Sequence, residues 1–106
     1  MGSKKDLRKI FRSEVFKRDK LTCKVCGNKM DECNLDAHHI TDRSEMPNGG
    51  YVKENGITVC KDICHFKVEK YHITDGKEWE TGLHPNDLYK IIGSNYDEAF
   101  EKSLNL

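Results

Sequence analysis

Leu35-Asp36-Ala37-His38-His39-Ile40-Thr41 is the stretch on which the fold turns. It reads as a short β-strand. Successive side chains on a strand point to opposite faces, so Leu35, Ala37, His39 and Thr41 share one side and Asp36, His38 and Ile40 the other. Two neighbouring imidazoles are thereby split between two environments. One can bind a metal ion while the other faces a substrate as a general base, a task that suits a group titrating near neutrality.

Downstream, Ile57-Thr58-Val59-Cys60 reads as a second strand able to pair with the first. The connection, residues 42–56, holds Pro47, Asn48, Gly49, Gly50, Asn55 and Gly56 and reads as loop. It is long for so small a chain, and that length points to function. Residues 63–72 read as a helix carrying Cys64, His65, Val68, Glu69 and His72. His65 and Glu69, four apart, stand on one helical face in plausible ligand geometry, although an exposed helix charge explains Glu69 equally well. His72, seven residues from His65 and on the same side, reads as a surface residue or a more distant ligand, and His84 as a loop residue. Pro85 opens a helix over 85–92 that Gly93 ends, and Ser94 or Asn95 caps a last helix to about residue 104. Upstream, Leu7, Ile10, Phe11, Val15 and Phe16 recur at helical spacing over 4–18, with Lys and Arg between them.

Of the 106 residues, 36% are hydrophobic and 34% charged, a thin supply for one core. A metal, disulfides or a partner must therefore help to hold the fold. The five cysteines stand at 23, 26, 33, 60 and 64. An odd count, with no stretch that reads as a signal peptide or membrane span, favours a reducing, cytoplasmic setting in which paired cysteines mean zinc. Cys23-x2-Cys26 followed by Gly27, and Cys60-x3-Cys64, supply the four soft donors of a tetrahedral structural site. The three-residue gap of the second pair is the less usual one. Cys33 is the spare: a bystander, or a substitute for Cys64. The formal net charge is zero, yet residues 1–29 carry ten Lys/Arg against three Asp/Glu, and residues 75–106 carry three against seven. A basic front end suits a phosphate backbone, although a solvated amphipathic helix accounts for it as well. The acidic rear argues against a strong autonomous DNA binder.

The order Arg12-x2-Val15-x2-Arg18-Asp19-x3-Cys23-x2-Cys26-Gly27, then Leu35-x-Ala37-His38-His39-Ile40, then Asn55-Gly56-Ile57-x-Val59-Cys60, then Cys64-His65, resembles the cysteine-containing HNH endonucleases over roughly residues 12–72. The resemblance implies an α+β fold. Its small ββα-metal core carries a four-cysteine structural zinc (Cys23, Cys26, Cys60, Cys64) and is flanked by an N-terminal helix and C-terminal helices. One domain would span 1–106, with residues 75–106 a helical extension outside the motif. It also implies metal-dependent hydrolysis of DNA phosphodiester bonds in a bacterial or phage-infected cell. His38 becomes the first ligand of one catalytic divalent cation (Mg2+, Mn2+, Ni2+ or Zn2+), His65 the second, His39 the general base, and Asn55 the residue that holds the base or its loop. Several relatives carry another His or an Asn where this chain has Glu69, so Glu69 is the candidate third ligand. Lys9, Arg12 and Lys17 on the first helix, with Arg43 and Lys67, are candidate phosphate contacts, each also readable as a surface charge. The expected partner is DNA, with a protein partner or homodimer compatible; no membrane and no organic cofactor are expected.

Two other readings compete. A non-catalytic zinc module binding nucleic acid or protein would use the same cysteines, but it leaves His38-His39 and Asn55 without a task. A thiol–disulfide oxidoreductase would use Cys23-x2-Cys26, but no βαβ setting surrounds that pair.

Overall fold

The computed structural model describes residues 4–106. Helix α1 (Lys4–Asp19) leads into a cysteine-bearing turn, strands β1 (Leu35–His39) and β2 (Gly56–Cys60), helix α2 (Cys64–Ile73), and helices α3 (Pro85–Ile92) and α4 (Tyr96–Leu104). The α+β class is as expected, and the element boundaries fall within two residues of the expected ones. β1 stops at His39, two residues early. Beyond it Ile40 N–H bonds the Asn55 carbonyl and Thr41 N–H bonds Asn55 Oδ1, so one asparagine takes over from the ladder. The connection 42–56 is more ordered than its composition suggests, with 3-10 turns at 43–45, 47–50 and 53–55.

The strands are antiparallel, with Leu35 opposite Cys60, His38 opposite Ile57 and His39 opposite Gly56. α1 packs on one face of this ribbon through Phe11, Val15 and Phe16, all buried. Ile10 departs from the expected apolar face: it is 53% exposed, about 100° around the helix from Phe11. At the end of α1, buried Asp19 forms a two-pronged pair with Arg18 and accepts the Thr58 N–H of β2. A carboxylate at a helix C-terminus faces the negative end of the dipole, and these partners offset that cost.

Gly56 is where α1 and the ribbon meet most closely. A Cβ there would lie 2.5 Å from Val15 Cγ2 and 2.7 Å from the Phe11 ring. Phe11 can therefore stack on His39, the cross-strand neighbour of Gly56, at 4.4 Å between centroids. Gly56→Ala should cost about 1–3 kcal/mol through overpacking. Urea unfolding checks this, and an unshifted midpoint would mean that α1 yields without strain.

α2 covers the other face. α3 and α4 brace the connection: Tyr89 O–H donates to Asn55 Oδ1, Ser94 Oγ–H to the Glu54 carbonyl, and Asn48 Nδ2–H to the Ser103 carbonyl. These bonds give residues beyond 75 a place in the fold that the sequence motif did not supply. α3 starts on a reciprocal cap in which His84 accepts Asn86 N–H and Asp87 accepts His84 N–H. His84 is thus a capping group, not a plain loop residue. Asn95, rather than Ser94, caps α4 by accepting Glu98 N–H. No helix among the described residues is long and apolar enough to cross a membrane.

Candidate metal centres

Cys23, Cys26, Cys60 and Cys64 converge, with each sulfur within 4.8 Å of the others. Thiolates about 2.3 Å from one zinc stand about 3.8 Å apart, so the cluster fits a tetrahedral ion. The local backbone favours thiolates. Gly27 takes φ +81° and closes a tight turn by donating N–H to the Cys23 carbonyl. Cys26 N–H points at Cys23 Sγ and Cys64 N–H at Cys60 Sγ, at 3.4 and 3.3 Å. Burial pushes the Cys23 thiol up, but backbone N–H groups around it outweigh burial and lower it to about 7. Burial raises Cys64, as do its hydrogen bonds to the neighbouring thiols, so a cation would favour the ionised form of this thiol. Cys33 is exposed and lies outside the cluster.

The second cluster is His38, His65 and Glu69, one from β1 and two from α2. Glu69 Oε1 lies 3.0 Å from His38 Nδ1 and 3.2 Å from His65 Nε2. His38 is buried and, among the described residues, neither of its ring nitrogens has an aligned hydrogen-bond partner. A buried imidazole without partners is costly, and a cation between it and Glu69 would remove the cost. Burial holds the His38 pKa down, whereas Glu69, then Asp36, raises that of His65 against its burial. The close His38 and His65 rings keep the Glu69 carboxyl well below the usual range. The donor set, two imidazoles and an ionised carboxylate, suits a divalent ion of the zinc or manganese kind.

Two further residues stand at this cluster. Asp36 Oδ2 lies 2.6 Å from His65 Nδ1, which leaves Nε2 turned toward Glu69. A carboxylate behind a metal-binding His fixes its tautomer and ring orientation. Strand alternation had placed Asp36 on the face of His38, and that was the available signal. His72, read as surface, is half-buried: its Nε2 is 3.0 Å from the His39 carbonyl and its ring stacks on His38 at 5.3 Å.

His39 lies apart from the cluster, on the opposite face. Its ring is stacked on Phe11 and edge-on to Tyr51, and its Nε2 is buried without a partner among the described residues. Burial, with His38 and Arg43 nearby, lowers its pKa to about 4, so it is neutral at pH 7. It nevertheless lines one open cleft of about 250 Å³ together with His65, Asp36, Arg8, Arg12 and Arg43. Asn55 is fully buried and touches neither imidazole. It accepts from Thr41 N–H and Tyr89 O–H and donates to the Thr41 and Gly50 carbonyls, pinning the chain just past His39.

Among the candidate phosphate contacts, Lys9, Lys17 and Lys67 are exposed. Arg12 donates to the Glu32 carbonyl and lies 4.5 Å over the Phe16 ring, so part of its capacity serves the fold. Arg43 donates to Tyr51 Oη at the mouth of the cleft.

A two-stranded ribbon with a helix across it, with four converging thiols and a His-His-Glu cluster, defines a small α+β protein with two candidate metal sites. Residues 23–71, a little under half of the chain, match the model of the HNH endonuclease family. It spans both strands, both metal clusters and most of α2, and leaves α1, α3 and α4 outside. No curated protein and no solved structure matches the chain.

Proposed function

We propose that the chain is a metal-dependent endonuclease, one domain over its whole length, that hydrolyses DNA phosphodiester bonds with His39 as general base. The observation that carries this reading is the shared cleft. His39, neutral at pH 7, lines the same space as His65, the helix-borne member of the metal cluster. A base and a charge-stabilising centre beside one cavity are the two parts that phosphodiester hydrolysis needs. His38, His65 and Glu69 would hold one divalent ion, and the bound ion would supply Lewis-acid stabilisation of charge on the phosphate. His39 accepts a proton from water, its ring held by Phe11 and Tyr51. Asn55 fixes the backbone beyond His39, and Asp36 orients His65. The four cysteines would hold a structural zinc, and a site closed by four thiolates would take no part in the chemistry.

The test is a supercoiled-plasmid assay with the zinc-loaded protein and added Mg2+, Mn2+, Ni2+ or Zn2+. Nicking that requires an added ion is the expected result. One tightly held zinc with no nicking under any ion would instead favour a non-catalytic zinc module.

Glu69→Ala should raise the ion concentration for half-maximal cleavage by at least about tenfold, since even outer partners of a metal site are worth 10–100-fold. The rate at saturating ion should change less, because both imidazoles remain. An unaltered activation curve would make Glu69 a plain surface charge.

A further inference from the structure

Arg8 and Arg43 converge on a single phenol. Arg8 Nε–H and Arg43 Nη1–H both donate to Tyr51 Oη, each at 3.2 Å. The two cations come from distant places, α1 and the turn after β1, and both side chains are exposed. Tyr51 is 7% exposed, with its ring edge-on to His39 and to Phe11. Its position is therefore set by the same packing that sets the base.

Bringing two guanidiniums to one neutral acceptor costs repulsion, and an anion between them would reverse its sign. Asp42, a carboxylate beside Arg43, is already engaged: its Oδ2 accepts both the N–H and the hydroxyl of Ser44. The surrounding space is open. A cleft of about 550 Å³ runs past Arg8, Arg43, Ser44, Asn48 and Tyr51. Arg8, Arg43 and Tyr51 also line the 250 Å³ cleft that holds His39 and His65. These three residues form the shared wall, so an extended polyanion lying in the outer cleft passes both guanidiniums before it reaches His39.

We infer that Arg8, Arg43 and Tyr51 form an anion seat for a backbone phosphate of the substrate nucleic acid, with Tyr51 as the positioning residue that holds the two guanidiniums together beside the base. The inference rests on the nuclease reading for its substrate but not for its geometry. Arginine suits the task, because its planar fork matches phosphate oxygens. Tyr51 gives up none of its packing, since only its oxygen meets the arginines.

The experiment is fluorescence anisotropy of a labelled duplex of about 20 base pairs with the full, zinc-loaded chain and no added divalent ion, across a salt series, alongside plasmid cleavage. The double variant Arg8→Gln, Arg43→Gln should lose about tenfold or more in affinity at low salt, and its log–log salt slope should flatten by about 1. Lys90→Gln, on α3, should change neither. Tyr51→Phe keeps the ring and the melting temperature, and it should lower affinity partway. It should also abolish the coupling between Arg8→Gln and Arg43→Gln in a double-mutant cycle, an effect that simple packing would not produce. Unchanged affinity and slope in the double variant would overturn the seat, whether or not the wild type cleaves. Arginine-dependent binding by a wild type that never nicks DNA would leave the seat standing and overturn the nuclease reading.

Discussion

His39→Ala should lower cleavage by about two to four orders of magnitude, the usual span for removing a general base. His38→Ala should fail differently, by losing affinity for the catalytic ion. The expectation follows from the two faces of β1. His38 lies on the face covered by α2, 3.0 Å from Glu69, so its loss would empty a proposed ligand position. His39 lies on the face covered by α1 and has no contact with that carboxylate, so its loss should spare ion binding. The variant does remove a ring stacked on Phe11, so its melting temperature must be read alongside. A modest fall there with ion affinity intact would still isolate the chemical step. Plasmid time courses over a range of ion concentrations, with calorimetry of ion binding for both variants, separate the outcomes. Full activity in His39→Ala would sink the mechanism. Ion binding lost in His39→Ala and kept in His38→Ala would reverse the two roles.

That separation was legible in the sequence because it depends only on the period of a strand. The same holds for the thiol cluster, which two short Cys spacings announce, and for the 85–92 helix, which Pro85 and Gly93 bracket. What escaped is long-range. Nothing local marks Arg8 and Arg43, 35 positions apart in the chain, as partners of one tyrosine. Ile10 fits an apolar pattern yet faces solvent, because the stripe on α1 is narrower than its hydrophobic residues. The requirement for glycine at 56 stems from the approach of Phe11 and Val15, which composition cannot reveal. His72 shows another kind of gap. Its spacing from His65 was visible, but its task depends on where the His39 carbonyl lies, and that is fixed by pairing across the sheet. Asp36 was the avoidable omission, since alternation alone had placed it beside His38.

Stripping the structural zinc should unfold the chain. Structural zinc in small domains contributes about 10–16 kcal/mol of binding free energy near neutral pH. Whole domains of this size are stable by only about 5–15 kcal/mol. Coupling of that size leaves little or no stability once the ion is gone, and the modest share of apolar residues points the same way. The four thiols also join three separate pieces: the turn after α1 through Cys23 and Cys26, the end of β2 through Cys60, and the first residue of α2 through Cys64. Without the ion nothing joins the four sulfurs, and the anchor at the start of α2 weakens. His65 follows Cys64 directly, so the catalytic cluster should be lost with the structural one. The measurement is far-UV circular dichroism and melting temperature as zinc release is followed under a strong chelator. Dialysis against a weak chelator is the control, since it should remove only the catalytic ion and leave the fold. Cys23→Ser should reproduce the loss, and Cys33→Ser should not. An unchanged spectrum and melting temperature after complete zinc removal would show that the four-thiolate site is not what holds this fold together.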